Sequence, residues 1–250
     1  MRLGRRQARL LIGAAVAASA LAASVTTKAQ DQPPRHLEGN AAIGQDEVRA
    51  RCIPTLIEPD QSCKVGVFGK VGTVAGHDFF YASYDVNDPS FPHTYPRIVI
   101  FEQTASAMFQ PILISGDNWP YSYAKPQIVR SAGRILLHIP ATESGSGYFN
   151  REILYVWTKD GWYDLDVTSW LDELRHRLPA GLRVARGVYP DYAAMKAETP
   201  LWHEEDGGSC PKGGLAEISL QWRGERLSAS SVARSLIYRG AGGRQRSGIA

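Results

Sequence analysis

The sequence predicts a β-dominated α+β fold of antiparallel hairpins with one amphipathic helix. Three observations carry that prediction. Between residues 65 and 233, short β-branched and aromatic runs alternate with turn signals rich in glycine, proline and asparagine or aspartate. Those runs return at hairpin spacing, about one turn every 8 to 15 residues, too short for helical crossovers between parallel strands. Helical periodicity is sustained in only one place. No fixed-period repeat identifies a propeller, although a succession of hairpins is compatible with one.

The clearest local structure lies in residues 145–182. Ile153, Leu154, Tyr155, Val156 and Trp157 form one strand, Lys159-Asp160-Gly161 a turn, and Trp162-Tyr163 the returning strand. Asp-Gly between such runs predicts a type I′ hairpin with positive φ at both central residues. The period then changes. Trp170, Leu171, Leu174 and Leu178 mark one helical face, with Asp166 or Thr168 as the cap. Asp172 and Glu173 sit near its positive end, Arg175, His176 and Arg177 near its negative end, and Pro179 and Gly181 stop it.

Upstream, residues 78–86 (DFFYASYDV) and 97–102 (RIVIFE) read as strands around a proline-punctuated loop. Residues 109–115 (FQPILIS) read as another, with Pro111 indicating a sheet edge or a strand start. Residues 118–126 (NWPYSYAKP) form an aromatic loop. Residues 127–130 and 134–139 flank Ser131-Ala132-Gly133, a hairpin signal, and residues 142–147 form a serine-glycine turn. Downstream, residues 182–188 predict a strand and 190–197 a short helix with proline in its first turn. Residues 204–214 form a glycine-dense loop, and 215–222 (LAEISLQW) with 226–232 a terminal hairpin around Gly224-Glu225.

The N-terminus predicts export. Arg2, Arg5, Arg6 and Arg9 precede an apolar run over residues 10–21, followed by small residues suited to signal cleavage. The competing reading is an N-terminal membrane anchor, for which this run is short and alanine-rich. Arg5-Arg6 raises the twin-arginine route, but Gln7-Ala8-Arg9 continues it poorly, and the general secretory route is preferred. The expected organisation is a signal over 1–29, an arm and cysteine loop over 30–64, a β-rich domain over 65–233 and a flexible basic tail over 234–250. A short helix fits within the arm.

Removing the signal changes the charge balance. The chain holds 28 basic and 25 acidic residues, and five of the basic ones lie before residue 30, leaving 23 basic against 25 acidic. No basic face then argues for nucleic acid, and the expected location is periplasmic or secreted, with no membrane span after cleavage. Such a compartment permits disulfides. Of Cys52, Cys63 and Cys210, the pair Cys52–Cys63 is preferred because Pro54 and Pro59 favour a compact loop between them. The alternative ties Cys210 back to the N-terminal region.

The words GSGYFN, GWYDLDVTSWLDELRHRLPAGL, GVYPDY, TPLW and DGGSCPKGG together resemble a group of uncharacterised exported proteins of proteobacteria. The likeness covers about residues 65–232. It implies a periplasmic or secreted protein and supplies no activity and no catalytic residue. The group's glycine loop often carries two adjacent cysteines before the proline. Here Ser209 stands at the first, which removes one thiol that a disulfide there would use.

The candidate chemistry is sparse. His203, Glu204, Glu205 and Asp206, followed by Cys210, are the densest set of metal-ligand types, weighed against a solvated acidic loop. A metal-dependent hydrolase would use them. Residues 143–147 read E-S-G-S-G and precede a strand, so they lack the G-x-S-x-G order and strand-to-helix setting of a nucleophile elbow. His77, His93 and His138 stand isolated in sequence. Trp119, Tyr121 and Tyr123 alternate on the aromatic loop and could stack on a glycan or an envelope partner, or else roof the core. No cofactor is expected. The first expectation is therefore a non-enzymatic binding protein, with a periplasmic hydrolase and a structural envelope component as alternatives.

Overall fold

The computed structural model describes residues 35–37, 41–53, 61–87, 89, 94–115, 121–143, 150–208 and 210–235. The signal segment, Trp119, the turn at 144–147 and the chain beyond Ser235 lie outside the described residues.

The first sheet is built from β1 (Arg35–His36), β2 (Ile43–Gly44), β3 (Ser62–Val74), β4 (His77–Asn87), β5 (Tyr95–Ala105) and β6 (Met108–Ile114), all antiparallel. Its order is β1-β6-β5-β4-β3, with β2 also on β6. The arm therefore belongs to the sheet, and it also carries helix α1 (Gln45–Ala50), whose Val48 is fully buried. Both faces of β4 and β5 are covered, which is why these strands read as nearly continuous apolar runs. On one face Ala82, Tyr84, Val86, Val99, Phe101 and Phe109 pack with Val48 and Ile53. Cys52 and Cys63 are disulfide-bonded at the margin of this core, with Cα atoms 6.1 Å apart, and Cys210 is free and exposed.

Pro111 departs from the expectation of an edge strand or a strand start. It lies within β6, which has β5 on one side and short partners on the other. β2 pairs with Met108 and Phe109, β1 with Leu113 and Ile114, and Pro111 falls between them. A residue without an N–H costs least where the ladder is already interrupted.

The second sheet has the order β12-β11-β9-β8, from β8 (Gln127–Ser131), β9 (Arg134–Ile139), β11 (Ile153–Thr158) and β12 (Gly161–Asp164). Its Leu137, Ile139, Tyr155 and Trp162 pack on Phe79, Tyr81, Ile98, Ile100 and Leu113 of the first sheet. The β8–β9 turn has positive φ at both Ala132 and Gly133, as a two-residue primed turn requires. The β11–β12 turn does not follow that pattern. Lys159 and Asp160 form the turn, and only Gly161 takes positive φ, at 113°. Thr158 closes it, its Oγ1 accepting from Asp160 N–H and donating to Gly161 O. The aromatic loop also contains structure: β7 (Tyr121–Tyr123) pairs with β10 (Ala141–Glu143).

Helix α2 (Ser169–Arg177) and a third sheet, β14 (Lys196–Pro200), β16 (Leu215–Arg223) and β17 (Arg226–Ser235), cover the opposite face of the second sheet. Trp170 and Leu174 are buried among Leu136, Leu154, Val156, Ile218 and Ala229. Asp166 is the effective cap: its Oδ1 accepts from the N–H groups of Thr168 and Ser169, both at 3.0 Å. The predicted strand at 182–188 shrinks to β13 (Leu182–Arg183), paired with β15 (Trp202–His203).

The predicted helix at 190–197 does not form. Asp191 Oδ1 accepts from Ala194 N–H, and Asp191 and Lys196 exchange backbone hydrogen bonds, closing a turn with Met195 at φ 53°. The aspartate side chain offers the backbone a local alternative to the helix, and Lys196 continues into β14.

Candidate functional site

Polar side chains from four separate strands converge at the margin of the core between the first two sheets. Tyr155 and Asp164 are direct register partners on β11 and β12, so their side chains share the face turned toward the first sheet. His36 pairs with Leu113, which places it on the matching face of the first sheet. Tyr123, on β7, packs against the same core. Local sequence thus explains the Tyr155–Asp164 half, and strand pairing supplies the rest.

The geometry joins a closed floor to an open rim. Tyr155 is fully buried, and His36 sits edge-on to it with ring centroids 5.6 Å apart. His36 Nε2 lies 3.7 Å from Asp164 Oδ1, and these two side chains are 41% and 57% exposed. Burial, then the charge of Asp164 and the Tyr123 phenol, push the Tyr155 hydroxyl well above the ordinary tyrosine range. Burial also raises the Asp164 carboxyl, against a smaller opposing pull from His36.

The Tyr155 hydroxyl has no hydrogen-bond partner among the described residues. A buried hydroxyl in that state costs about 1–3 kcal/mol. Packing alone would be served better by phenylalanine. The hydroxyls of Tyr84 and Tyr192 are also buried without a partner among the described residues; of these three, Tyr155 is the one that stands beside an exposed imidazole and a half-exposed carboxylate.

A second convergence has a structural explanation. His138 on β9 lies 3.2 Å from Glu152 Oε2 through Nε2 and 3.3 Å from Gln127 Nε2 through Nδ1. With the Gln127 amide donating, the ring proton is on Nε2 and is donated to Glu152. Tyr192 packs edge-on to His138 with centroids 5.0 Å apart. Burial, then the charge of Glu152, raise the Tyr192 phenol well above its usual range. Asn150 donates to Glu152 Oε1 and to Val188 O, and accepts from Val188 N–H at 2.6 Å. Both ring nitrogens and both carboxylate oxygens are occupied, so the network fixes the Val188–Tyr192 segment against the second sheet, although the buried Tyr192 hydroxyl has no partner among the described residues.

The residues singled out by sequence divide. Tyr123 belongs to the converging cluster, Tyr121 is on the same short strand opposite Glu143, and Trp119 lies outside the described residues. The acidic loop does not converge. Asp206 is 7% exposed, and its Oδ2 accepts from the N–H groups of His203 at 2.8 Å and Lys212 at 2.9 Å. Burial opposes ionisation of Asp206, but those two N–H bonds prevail and hold its carboxyl below the ordinary value. Glu204 and Glu205 are exposed. Among the described residues no group of three histidine, cysteine or acidic side chains could hold a metal ion.

Sequence reasoning missed His36 and Tyr155, and Asp164 stood out from no other acidic residue. The hairpin register would have paired the last two, whereas His36 depends on the β1–β6 pairing. It also left His77 isolated, although Glu102 lies 2.6 Å from its Nδ1 and Trp157 lies against its ring. No family model matches the chain, and neither a curated protein nor a solved structure matches it, so the site has to be read from its own chemistry.

Proposed function

We propose that the protein is an exported, non-enzymatic binding protein of the periplasm or the extracellular medium, its first 29 residues serving as a removable signal. The observation that carries the binding role is the convergence of His36, Tyr123, Tyr155 and Asp164 around a buried hydroxyl that has no partner among the described residues. Several convergent polar groups beside an aromatic wall are the usual composition of a recognition site. The address is supported by the basic and apolar N-terminal segment, by the likeness to exported proteins and by the Cys52–Cys63 disulfide. No helix among the described residues is long and apolar enough to cross a membrane.

Ligand-observed NMR of the protein purified from an exporting host, titrated with fractionated envelope extract, tests the reading. Wild-type protein should retain a component that Tyr123→Ala and Asp164→Ala release. Equal retention by all three proteins would count against a site at this position.

A further inference from the structure

We infer that the His36, Tyr123, Tyr155 and Asp164 cluster is a saccharide site that recognises neighbouring hydroxyls of a pyranose ring; this rests on the binding role proposed above. The donor and acceptor inventory selects the ligand class. Asp164 presents a half-exposed carboxylate, and the hydroxyl of Tyr155, a residue 0% exposed, lies on the same strand-paired face with no partner among the described residues. His36 stands beside both. One sugar hydroxyl donates to the carboxylate, and its neighbour accepts from the Tyr155 O–H or from His36.

Other ligand classes fit less well. An inorganic anion or phosphoester meets the Asp164 carboxylate at the rim. A hard divalent cation finds a single carboxylate beside one imidazole, far short of the six to eight oxygens of calcium. An apolar group leaves the Tyr155 hydroxyl as orphaned as before. A pyranose supplies both hydroxyl polarity and a ring face of C–H groups for the aromatic side chains of His36 and Tyr123. The His36 ring lies across Tyr155 and is carried by the two-residue strand β1. Because Tyr155 is fully buried, binding through its hydroxyl requires the exposed His36 side chain to turn aside.

The test titrates the purified protein with the methyl glycosides of mannose, galactose and glucose, and separately with inorganic phosphate and calcium chloride, followed by backbone amide NMR. At least one glycoside should saturate in the millimolar range, with the largest shifts around residues 36, 123, 155 and 164. Tyr155→Phe and Asp164→Asn should each weaken it at least tenfold while leaving the thermal midpoint equal to or above wild type. The inference is overturned if no glycoside saturates, if the variants bind as tightly as wild type, or if only phosphate or calcium shifts these residues. If envelope extract still yields a component retained through Tyr123 and Asp164 while no glycoside binds, the saccharide assignment fails and the binding role stands. If neither binds, both fail.

Discussion

Replacing Tyr155 with phenylalanine should make the protein more stable, an unusual direction for a change at a fully buried aromatic. The ring is 0% exposed and packs with Leu137, Ile139 and Trp162, contacts that phenylalanine keeps. Only the hydroxyl is lost. Its unpaired burial costs about 1–3 kcal/mol. Removing one oxygen leaves a small void, which at about 24 cal/mol per Å³ returns a few tenths of a kcal/mol. The net expectation is a gain of about 1–2 kcal/mol, or roughly 2–8 °C in Tm for a domain of this size. Urea denaturation with the disulfide intact measures it, with an unchanged m-value showing that both end states are comparable. Tyr84→Phe is the control. Its hydroxyl is also buried with no partner among the described residues, yet it lies on the other face of the first sheet. Both variants should gain stability, and only Tyr155→Phe should lose ligand. A loss of 1 kcal/mol or more in Tyr155→Phe would refute the reasoning, because it would show that the hydroxyl is satisfied by an ordered water.

Three further outcomes follow from the packing and the caps. Trp170→Ala should cost about 3–5 kcal/mol by denaturant titration, since Trp170 is fully buried at the junction of α2 with two sheets, whereas the partly buried Leu171→Ala should cost less. Asp166→Asn should flatten the acid limb of the stability profile. Burial opposes ionisation of Asp166, but the N–H groups of Ser169 and Thr168 hold its carboxyl below the ordinary value. Its contribution is therefore present above the unfolded carboxylate pKa and disappears as pH falls through the lowered folded value; thermal scans from pH 7 to pH 2 would reveal it. Asp164, shifted upward, has the opposite sign: its contribution is greatest below the unfolded value and falls as pH rises through the folded one. Breaking the Cys52–Cys63 bond, which spans a sequence separation of 11, should cost about 3 kcal/mol on the chain-entropy estimate, measured with Cys52→Ser and Cys63→Ser combined.

Local chemistry made much of the architecture legible. Ala132-Gly133 and Gly224 take positive φ in hairpin turns that their flanking residues announce. Trp170 and Leu174 bury the helical face that their spacing implies, with Pro179 and Gly181 beyond its end. Where the reading failed, a nearby side chain or a distant strand decided the outcome. The Asp191 carboxylate closed a turn over residues that otherwise resemble a helix start, and β1 and β2 left a gap for Pro111 that no neighbour in sequence indicates.

By itself the sequence determined the fold class, the main hairpins, the position and buried face of α2, and the preference for a Cys52–Cys63 pair. Each depends on residues within about a dozen positions of one another, so dihedral preference, hydrophobic period and loop length suffice. Only the tertiary structure decided that the arm completes the first sheet, that the acidic loop uses Asp206 to hold its own backbone, and that His36 and Tyr123 meet Tyr155 and Asp164. Those meetings follow from which sheet faces stack and which edges pair. Those choices are set by burial summed over whole strands, which no single residue's neighbours encode.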